Sequence, residues 1–125
     1  MEKLIMDNTY YQIVLSFEYP NEDKVRKLVD KYRLEDRTQL SWYLQRIKDY
    51  QQRCHAYAIA HSFNNLDVDL FVKIFTQFFQ ELFFGNEKYY QAILMIQPED
   101  GEMSIWQFNA NGVSQDKKLS WRNGH

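Results

Sequence analysis

Histidine, cysteine and aspartate are the side chains of this sequence that could support acid–base, nucleophilic or metal chemistry. His55 and His61 lie six positions apart, and Cys54 and His61 lie seven apart. On a helix the two histidines point to different faces, and Cys54 and His61 are about 10.5 Å apart along the axis. That distance is too long for a thiolate–imidazole pair. We therefore interpret Cys54 as a buried, unreactive side chain and His61 as a core or capping histidine.

An alternative role for His61 follows from two aspartates that come after it. Asp67 and Asp69 lie across the next predicted turn, where a histidine and a carboxylate could form an acid–base or metal pair. These three residues define an alternative pocket, aromatic in character and lying between helices and sheet, for a small ligand or substrate. We predict no metal and no cofactor. Whether the protein is an enzyme stays open, and a non-catalytic role is favoured.

A second group of charged side chains near the C-terminus suits binding better than catalysis. The candidate partner-binding residues are Glu99, Asp100, Glu102, Trp106, Phe108 and Asp116. Aromatic anchors beside charged groups are typical of protein-binding surfaces. The competing interpretation is that Trp106 and Phe108 simply face the core.

The charge distribution favours a basic protein as the partner. Net charge is −2, but residues 63–116 carry two Lys or Arg and eight Asp or Glu. An acidic half steers association toward a positive surface. The segment from Lys24 to Arg53 carries nine Lys or Arg and four Asp or Glu. Acidic residues lie between the basic ones in this segment, and the segment must also supply residues of the hydrophobic core. We therefore do not favour nucleic acid as the partner.

Recognisable catalytic motifs are missing from the sequence. The four glycines fall at predicted turns or in the C-terminal tail, so none builds a phosphate-binding loop. The sequence also lacks a zinc signature and a nucleophile elbow, and no motif identifies a family. A single cysteine excludes an intrachain disulfide, and the apolar runs are too short or too charged for a signal peptide or a membrane span.

Two segments that contain Tyr-Tyr-Gln are predicted to be strands. Thr9–Pro20 alternates with a period of two and has one apolar face, whereas Lys88–Pro98 is apolar on both faces, as in a central strand. Their flanking sequences differ, which argues against an internal duplication. If the two strands are neighbours, their paired tyrosines could stack across them.

Three helices are predicted between these strands. The first follows Asn21, whose side chain can cap it. The second begins near Asp36 or Thr38 and runs without Gly or Pro to about Asn64. Its predicted stripe is Leu40, Leu44, Ile47, Cys54, Ala58 and His61. The third starts at Asp67, is apolar enough to be mostly buried, and stops at Gly85-Asn86.

The C-terminal part is predicted to be a β-meander. Pro98–Gly101 is a turn, Glu102–Phe108 is a strand, Asn109–Gly112 is a second turn, and a short last strand covers Lys117–Trp121. The expected fold is one α+β domain over residues 1–125, with the order β-α-α-α-β-β-(β). An antiparallel sheet of three to four strands packs against three helices.

From these features we expect a small cytoplasmic protein that binds and inhibits a basic protein partner. A bacterial immunity protein that neutralises a cognate toxin, for example a nuclease, has this size, mild acidity and absence of catalytic residues. A phage-encoded inhibitor or a secretion chaperone fits the same features. The alternative, from a different class, is a small-ligand-binding protein or enzyme that uses the pocket near His61.

Overall fold

The described chain combines six strands with three helices. The computed structural model describes residues 9–46, 54–64, 66–85 and 90–116. Its elements in chain order are β1 (Tyr10–Tyr19), α1 (Glu22–Lys31), α2 (Leu34–Thr38), β2 (Ser41–Arg46), β3 (Cys54–Asn64), α3 (Val68–Leu82), β4 (Ala92–Pro98), β5 (Ser104–Asn109) and β6 (Gly112–Asp116). The α+β class is confirmed, with six strands in the sheet where three to four were expected.

All six strands belong to one antiparallel sheet with the order β2-β3-β1-β4-β5-β6. The predicted alternation of β1 is confirmed, because Ile13, Leu15, Phe17 and Tyr19 are all buried. β4 lies between β1 and β5, as its two apolar faces predicted. The N-terminal strand is therefore the middle of the sheet.

The two strands that follow the Tyr-Tyr-Gln tripeptides are neighbours, but among the described tyrosines Tyr10 and Tyr11 lie at the opposite end of the pair from Tyr90. β1 and β4 run antiparallel, with Tyr11 opposite Pro98 and Phe17 opposite Ala92. This register puts the start of one strand beside the end of the other. The contact that forms instead is between Tyr19 and Tyr90, whose ring centroids are 5.3 Å apart.

The first and third helices begin where the sequence predicted. Asn21 Oδ1 accepts a hydrogen bond from the Lys24 backbone N–H at 3.2 Å, and Asp67 Oδ1 accepts one from the Leu70 N–H at 3.1 Å. Each cap satisfies a backbone donor that the first turn of a helix leaves unpaired. At the far end of α3, Gly85 has a φ of 86°, in the left-handed region that glycine adopts without steric cost.

The predicted long second helix is wrong. The helix ends at Thr38, Gln39 has a left-handed φ of 58°, and the chain then forms β2 and β3. Four of the six residues in the predicted stripe, Leu40, Leu44, Cys54 and Ala58, have even numbers. They fit one face of a strand as well as one face of a helix. The absence of Gly and Pro does not distinguish these two structures.

The alternation of side chains with a period of two explains why β2 and β3 form and pair as antiparallel strands. Trp42 lies opposite Ala58 and Leu44 opposite Ala56, and both alanines are fully buried. Small side chains at these positions leave room for large neighbours, such as the rings of Trp42 and Phe17, whose centroids are 6.3 Å apart. The last observed strand, β6, also precedes the predicted one, and Lys117–Trp121 lies outside the described residues.

Phenylalanine dominates the core between the sheet and α3. The fully buried rings are Phe75, Phe78, Phe79, Phe83 and Phe108. Phe79 is central, with centroid distances of 4.9 Å to Phe17 and 4.8 Å to Phe78 in edge-to-face geometry, an arrangement that aromatic quadrupoles favour. Among the described helices, none is both long enough and apolar enough to cross a bilayer.

The helices cover one face of the sheet, and no described helix covers the other, which we call the open face. Even-numbered residues of β1, from Gln12 to Glu18, are exposed or half-buried, whereas the odd-numbered ones from Ile13 to Tyr19 are buried. On the open face Tyr43 of β2 stacks on Tyr57 of β3 at 5.4 Å.

Candidate functional site

The acidic turn between β4 and β5 is held in place by its backbone. The N–H of Glu99 donates to the carbonyl oxygen of Tyr10 at 2.8 Å. Gln97 Nε2 donates to the carbonyl oxygens of Pro98 and Gly101 at 2.9 and 2.7 Å. The predicted turn at Pro98–Gly101 is thus confirmed. It is held by a backbone hydrogen bond to Tyr10 and by the side chain of Gln97.

The carboxylates of this turn are exposed to solvent. Glu99, Asp100 and Glu102 all lie on the surface of the described structure. Asp116 ends β6 opposite Ile105 of β5, so its backbone lies at the same end of the sheet. Its side chain lies outside the described part of the structure. The described carboxylates of Glu99, Asp100 and Glu102 are therefore exposed at one end of the sheet.

The topology adds a second pair of acids to that end. Tyr10, which binds the turn, also pairs with Asn64 at the end of β3, and α3 begins only a few residues later. Asp67 and Asp69 at the start of α3 are both exposed. We call the five side chains Asp67, Asp69, Glu99, Asp100 and Glu102 the acidic end. Two sites that the sequence analysis kept apart thus lie at one end of the sheet.

The aromatic residues predicted beside these acids belong mainly to the core. Phe108 is fully buried, 5.3 Å from the ring of Phe79. Trp106 lies on the same face of β5, because it pairs with Leu94 as Phe108 pairs with Ala92, and it is half-buried. Leu70, by contrast, is 51% exposed in the first turn of α3. Leu70 is therefore a large apolar side chain that is exposed beside Asp67 and Asp69.

The alternative pocket around His61 is not supported as a catalytic arrangement. His61 lies in β3 and not in a helix, and its side chain lies outside the described part of the chain. Asp67 is engaged as the cap of α3. Cys54 lies at the other end of β3, about 23 Å away at the rise of a strand. No group of three metal-ligating side chains occurs in residues 9–46, 54–64, 66–85 and 90–116.

A serine–histidine contact occurs on the open face, between Ser16 Oγ and His55 Nε2 at 2.9 Å. A nucleophilic serine also needs donors that stabilise an oxyanion. Ser16 lies inside β1, opposite Tyr57 on one side and Ile93 on the other, so the nearby backbone N–H groups serve the ladders. We interpret this pair as a cross-strand contact.

A cavity of about 210 Å³ opens on the helix side of the sheet, between α1, α2 and the edge strand β2. Its walls are Arg26, Val29, Asp30, Glu35, Trp42 and Leu44. A smaller cavity of about 140 Å³ shares Val29, Asp30 and Glu35 with it. The sequence did not reveal this site, because three separate elements supply its walls and one of them was predicted to be helical.

Trp42 is the unusual member of this cavity. Its Nε1 is buried and has no hydrogen-bond partner among the described residues. Its ring contacts Phe17, Phe75 and Phe78, with centroids 6.1 to 6.4 Å away. Phenyl rings provide no lone-pair acceptor for the indole N–H. A buried donor without a partner is rare and costs about 1–3 kcal/mol.

Among the described residues, two groups with shifted pKa values, Tyr32 and Glu81, lie at the junction of α1 and α3. Lys31 and Tyr32 donate hydrogen bonds to Glu81 at 2.9 and 2.7 Å, and they hold the pKa of Glu81 below its usual value of 4.5. Burial and the Glu81 carboxylate raise the pKa of Tyr32 to about 12. This network joins two helices on the protein surface, and we assign it a structural role.

No family model, curated protein or solved structure matches this chain.

Proposed function

We propose that this protein is a small cytoplasmic inhibitor that binds a basic protein partner through its acidic end. The class that fits best is a bacterial immunity protein that neutralises a cognate toxin, such as a nuclease, by covering its active surface. One observation carries this proposal. Exposed carboxylates from two distant segments, Asp67 to Asp69 and Glu99 to Glu102, are gathered at one end of the sheet.

The support for these carboxylates suits fast and tight binding. Fixed charges of one sign steer a basic partner and raise the association rate. Because the turn is tied to β1 and Asp67 caps α3, little order has to be gained when the partner binds. Leu70 offers an apolar contact between the charges, which would slow dissociation.

Charge reversal tests this proposal directly. The partner is first isolated from the native host with the wild-type protein at low and moderate salt, and then purified. The test variant is Glu99→Lys/Asp100→Lys. The matched control is Asp23→Lys/Asp36→Lys, which makes the same change in net charge at exposed positions of α1 and α2.

Affinity should fall at least about tenfold in the test variant and much less in the control, because close charge pairs contribute more than the global field. The wild-type affinity should also fall with salt. Equal effects in both variants would contradict the choice of surface. A partner bound with no salt dependence would contradict the electrostatic proposal as a whole.

The second candidate is a small-ligand-binding protein that uses a pocket between helices and sheet. The cavity beside Trp42 favours this candidate. A fragment screen followed by the indole N–H resonance of Trp42 would test it. A ligand that binds in the cavity should move this resonance, and the Trp42→Phe variant identifies the signal among the three tryptophans of the chain.

A further inference from the structure

The strand β2 forms one edge of the sheet. In the order β2-β3-β1-β4-β5-β6 its described neighbour is β3 alone. Its other side therefore carries backbone N–H and C=O groups that no described strand pairs with. Proteins commonly protect such an edge with charged side chains, prolines, β-bulges or a very short strand. An edge without these devices is a template for pairing with another chain.

The stretch of β2 from Ser41 to Gln45 has none of these protective devices. Its sequence, Ser-Trp-Tyr-Leu-Gln, contains no charged residue and no proline. It pairs with β3 in consecutive, regular register, and Tyr43 in its middle is 47% exposed. The opposite edge strand, β6, begins at the turn glycine Gly112 and contains the charged residue Asp116. Of the two edges, β2 is therefore the unprotected one.

The side chains of β2 are arranged symmetrically about Tyr43. Ser41 and Gln45 are polar and exposed, whereas Trp42 and Leu44 are apolar and half-buried. In an antiparallel pair, residues directly opposite each other lie on the same face of the sheet. A two-fold axis through Tyr43 therefore places Ser41 of one copy opposite Gln45 of the other, and Trp42 opposite Leu44. Polar side chains meet polar ones and apolar side chains meet apolar ones, so the strand is complementary to itself.

The same axis brings the Tyr43 side chains of two copies opposite each other on the open face. Tyr43 already stacks on Tyr57 of β3, with ring centroids 5.4 Å apart and an interplanar angle of 28°. Aromatic cross-strand pairs stabilise a sheet. A second copy thus extends the existing tyrosine pair to a row of four rings.

The charges beside this edge suit a second copy better than a strongly charged peptide. Arg26 and Asp30 of α1 and Glu35 of α2 lie near Trp42 and Leu44 of β2, since all five line the same cavity. The three charged residues are exposed. Because both signs are present, neither a strongly basic nor a strongly acidic segment is attracted to this edge. A second copy brings the same mixed set and no field of one sign.

From these features we infer that β2 is the interface of a homodimer. The β2 strands of two copies pair antiparallel about Tyr43, and the two six-stranded sheets join into one continuous sheet. Pairing also covers the half-buried side chains of Trp42 and Leu44. A contact that uses the same surface on both copies is closed, so association stops at the dimer. The dimer does not depend on either candidate function.

The test is sedimentation of the full chain at concentrations from about 1 μM to 1 mM. The wild type should change reversibly from monomer to dimer in this range. Tyr43→Lys should weaken the dimer at least about tenfold, because like charges then lie directly opposite each other at the axis. Tyr10→Lys is the matched control, since Tyr10 is equally exposed and lies in β1. Val113→Lys puts the same charge on the other edge strand, β6. Both controls should dimerise as the wild type does.

A charge swap at Tyr43 tests the register of the pairing. Tyr43→Lys and Tyr43→Glu should each be monomeric at concentrations where the wild type is a dimer. An equimolar mixture of the two should form a heterodimer, which also shows that both variants are folded. A mixture that stays monomeric overturns the pairing about Tyr43.

Two other results overturn β2 as an interface between copies. The first is a wild type that stays monomeric over the whole range, including the case in which it binds a different protein of the native host and Tyr43→Lys abolishes that binding. The edge then serves that protein and not a second copy. The second is a dimer that Tyr10→Lys or Val113→Lys weakens as much as Tyr43→Lys does.

Discussion

The backbone N–H of Glu99 donates to the carbonyl oxygen of Tyr10 at 2.8 Å, so the acidic turn is attached to the first residue of the central strand. This bond joins two segments that are far apart in the sequence. It explains how carboxylates on a surface loop can be presented from a fixed position. The same bond places the turn beside the end of β3 and the start of α3.

The Gln97 side chain should control the rigidity of this turn. In Gln97→Leu the carbonyl oxygens of Pro98 and Gly101 lose their donor, which should lower the free energy of unfolding by about 1 kcal/mol. Amide hydrogen exchange at residues 99–102 should become faster, and partner affinity should fall. Gln107→Leu is the control, since Gln107 is exposed on the same open face. Unchanged exchange in Gln97→Leu would show that backbone contacts alone hold the turn.

Buried and exposed phenylalanines of α3 and its C-terminal turn should differ sharply in their contribution to stability. Phe79 is fully buried, whereas Phe84 is 80% exposed. Phe79→Ala should lower the free energy of unfolding by about 3–5 kcal/mol, because it opens a cavity among the other rings. Phe84→Ala should change it by less than about 1 kcal/mol. Urea denaturation of both variants checks this, and similar losses would contradict the described packing of α3.

We expect Thr38 to stabilise the junction between α2 and β2. It is fully buried, and its Oγ1 donates to the Leu34 carbonyl at 2.6 Å and accepts from the Leu40 N–H at 3.3 Å. Thr38→Val removes the hydroxyl and leaves the Leu40 donor buried without a partner, at a cost of about 1–3 kcal/mol. Thr38→Ser keeps the hydroxyl and should lose less. A larger loss in the serine variant, measured by thermal unfolding, would assign the role of Thr38 to its methyl group.

The Glu81–Tyr32 contact should make stability depend on pH at both extremes. The pKa of Glu81 is lowered in the folded protein, so its contribution is present above pH 4.5 and is lost as pH falls through the folded value. The pKa of Tyr32 is raised from 10.0 to about 12, so its contribution is present below pH 10 and is lost as pH rises toward 12.

The Glu81→Gln variant removes the charge that links these two titrations. Denaturation at a series of pH values should show a smaller decrease in the free energy of unfolding for this variant than for the wild type, both below pH 4.5 and above pH 10. Lys31 lies in the same network and is itself exposed. Salt should therefore screen its interaction with Glu81 and reduce the loss of stability at low pH. Identical pH profiles for the variant and the wild type would show that other groups cause the dependence.

The sequence predicted those elements whose local signals agree. β1 alternates cleanly, Asn21 and Asp67 cap the helices that follow them, and Pro98–Gly101 forms the expected turn. Between Arg37 and Asn64 the signals conflict. Side chains at Leu40, Leu44 and Ala58 fit both periods, and the decision depends on pairing with β1, which no local window contains.

The exposure of candidate site residues could be predicted where these residues lie in or next to a predicted turn. The acids Glu99, Asp100 and Glu102 are exposed as the turn requires. The sequence left open whether Phe108 faces the core or a partner, because this depends on which face of the sheet the helices cover, and the structure buries it fully. The cavity at Trp42 could not be predicted, because its walls come from α1, α2 and β2 together.

The central place of β1 has a consequence for the way the chain is made. Both neighbours of β1 are synthesised long after it, β3 in the middle of the chain and β4 near its end. While the ribosome is still at α3, the apolar residues Ile13, Leu15 and Phe17 have an open strand edge on the side of β4. Such an edge can pair with other chains. We expect nascent chains arrested before β4 to require chaperone protection, and their aggregation when released at that length would be the sign of it.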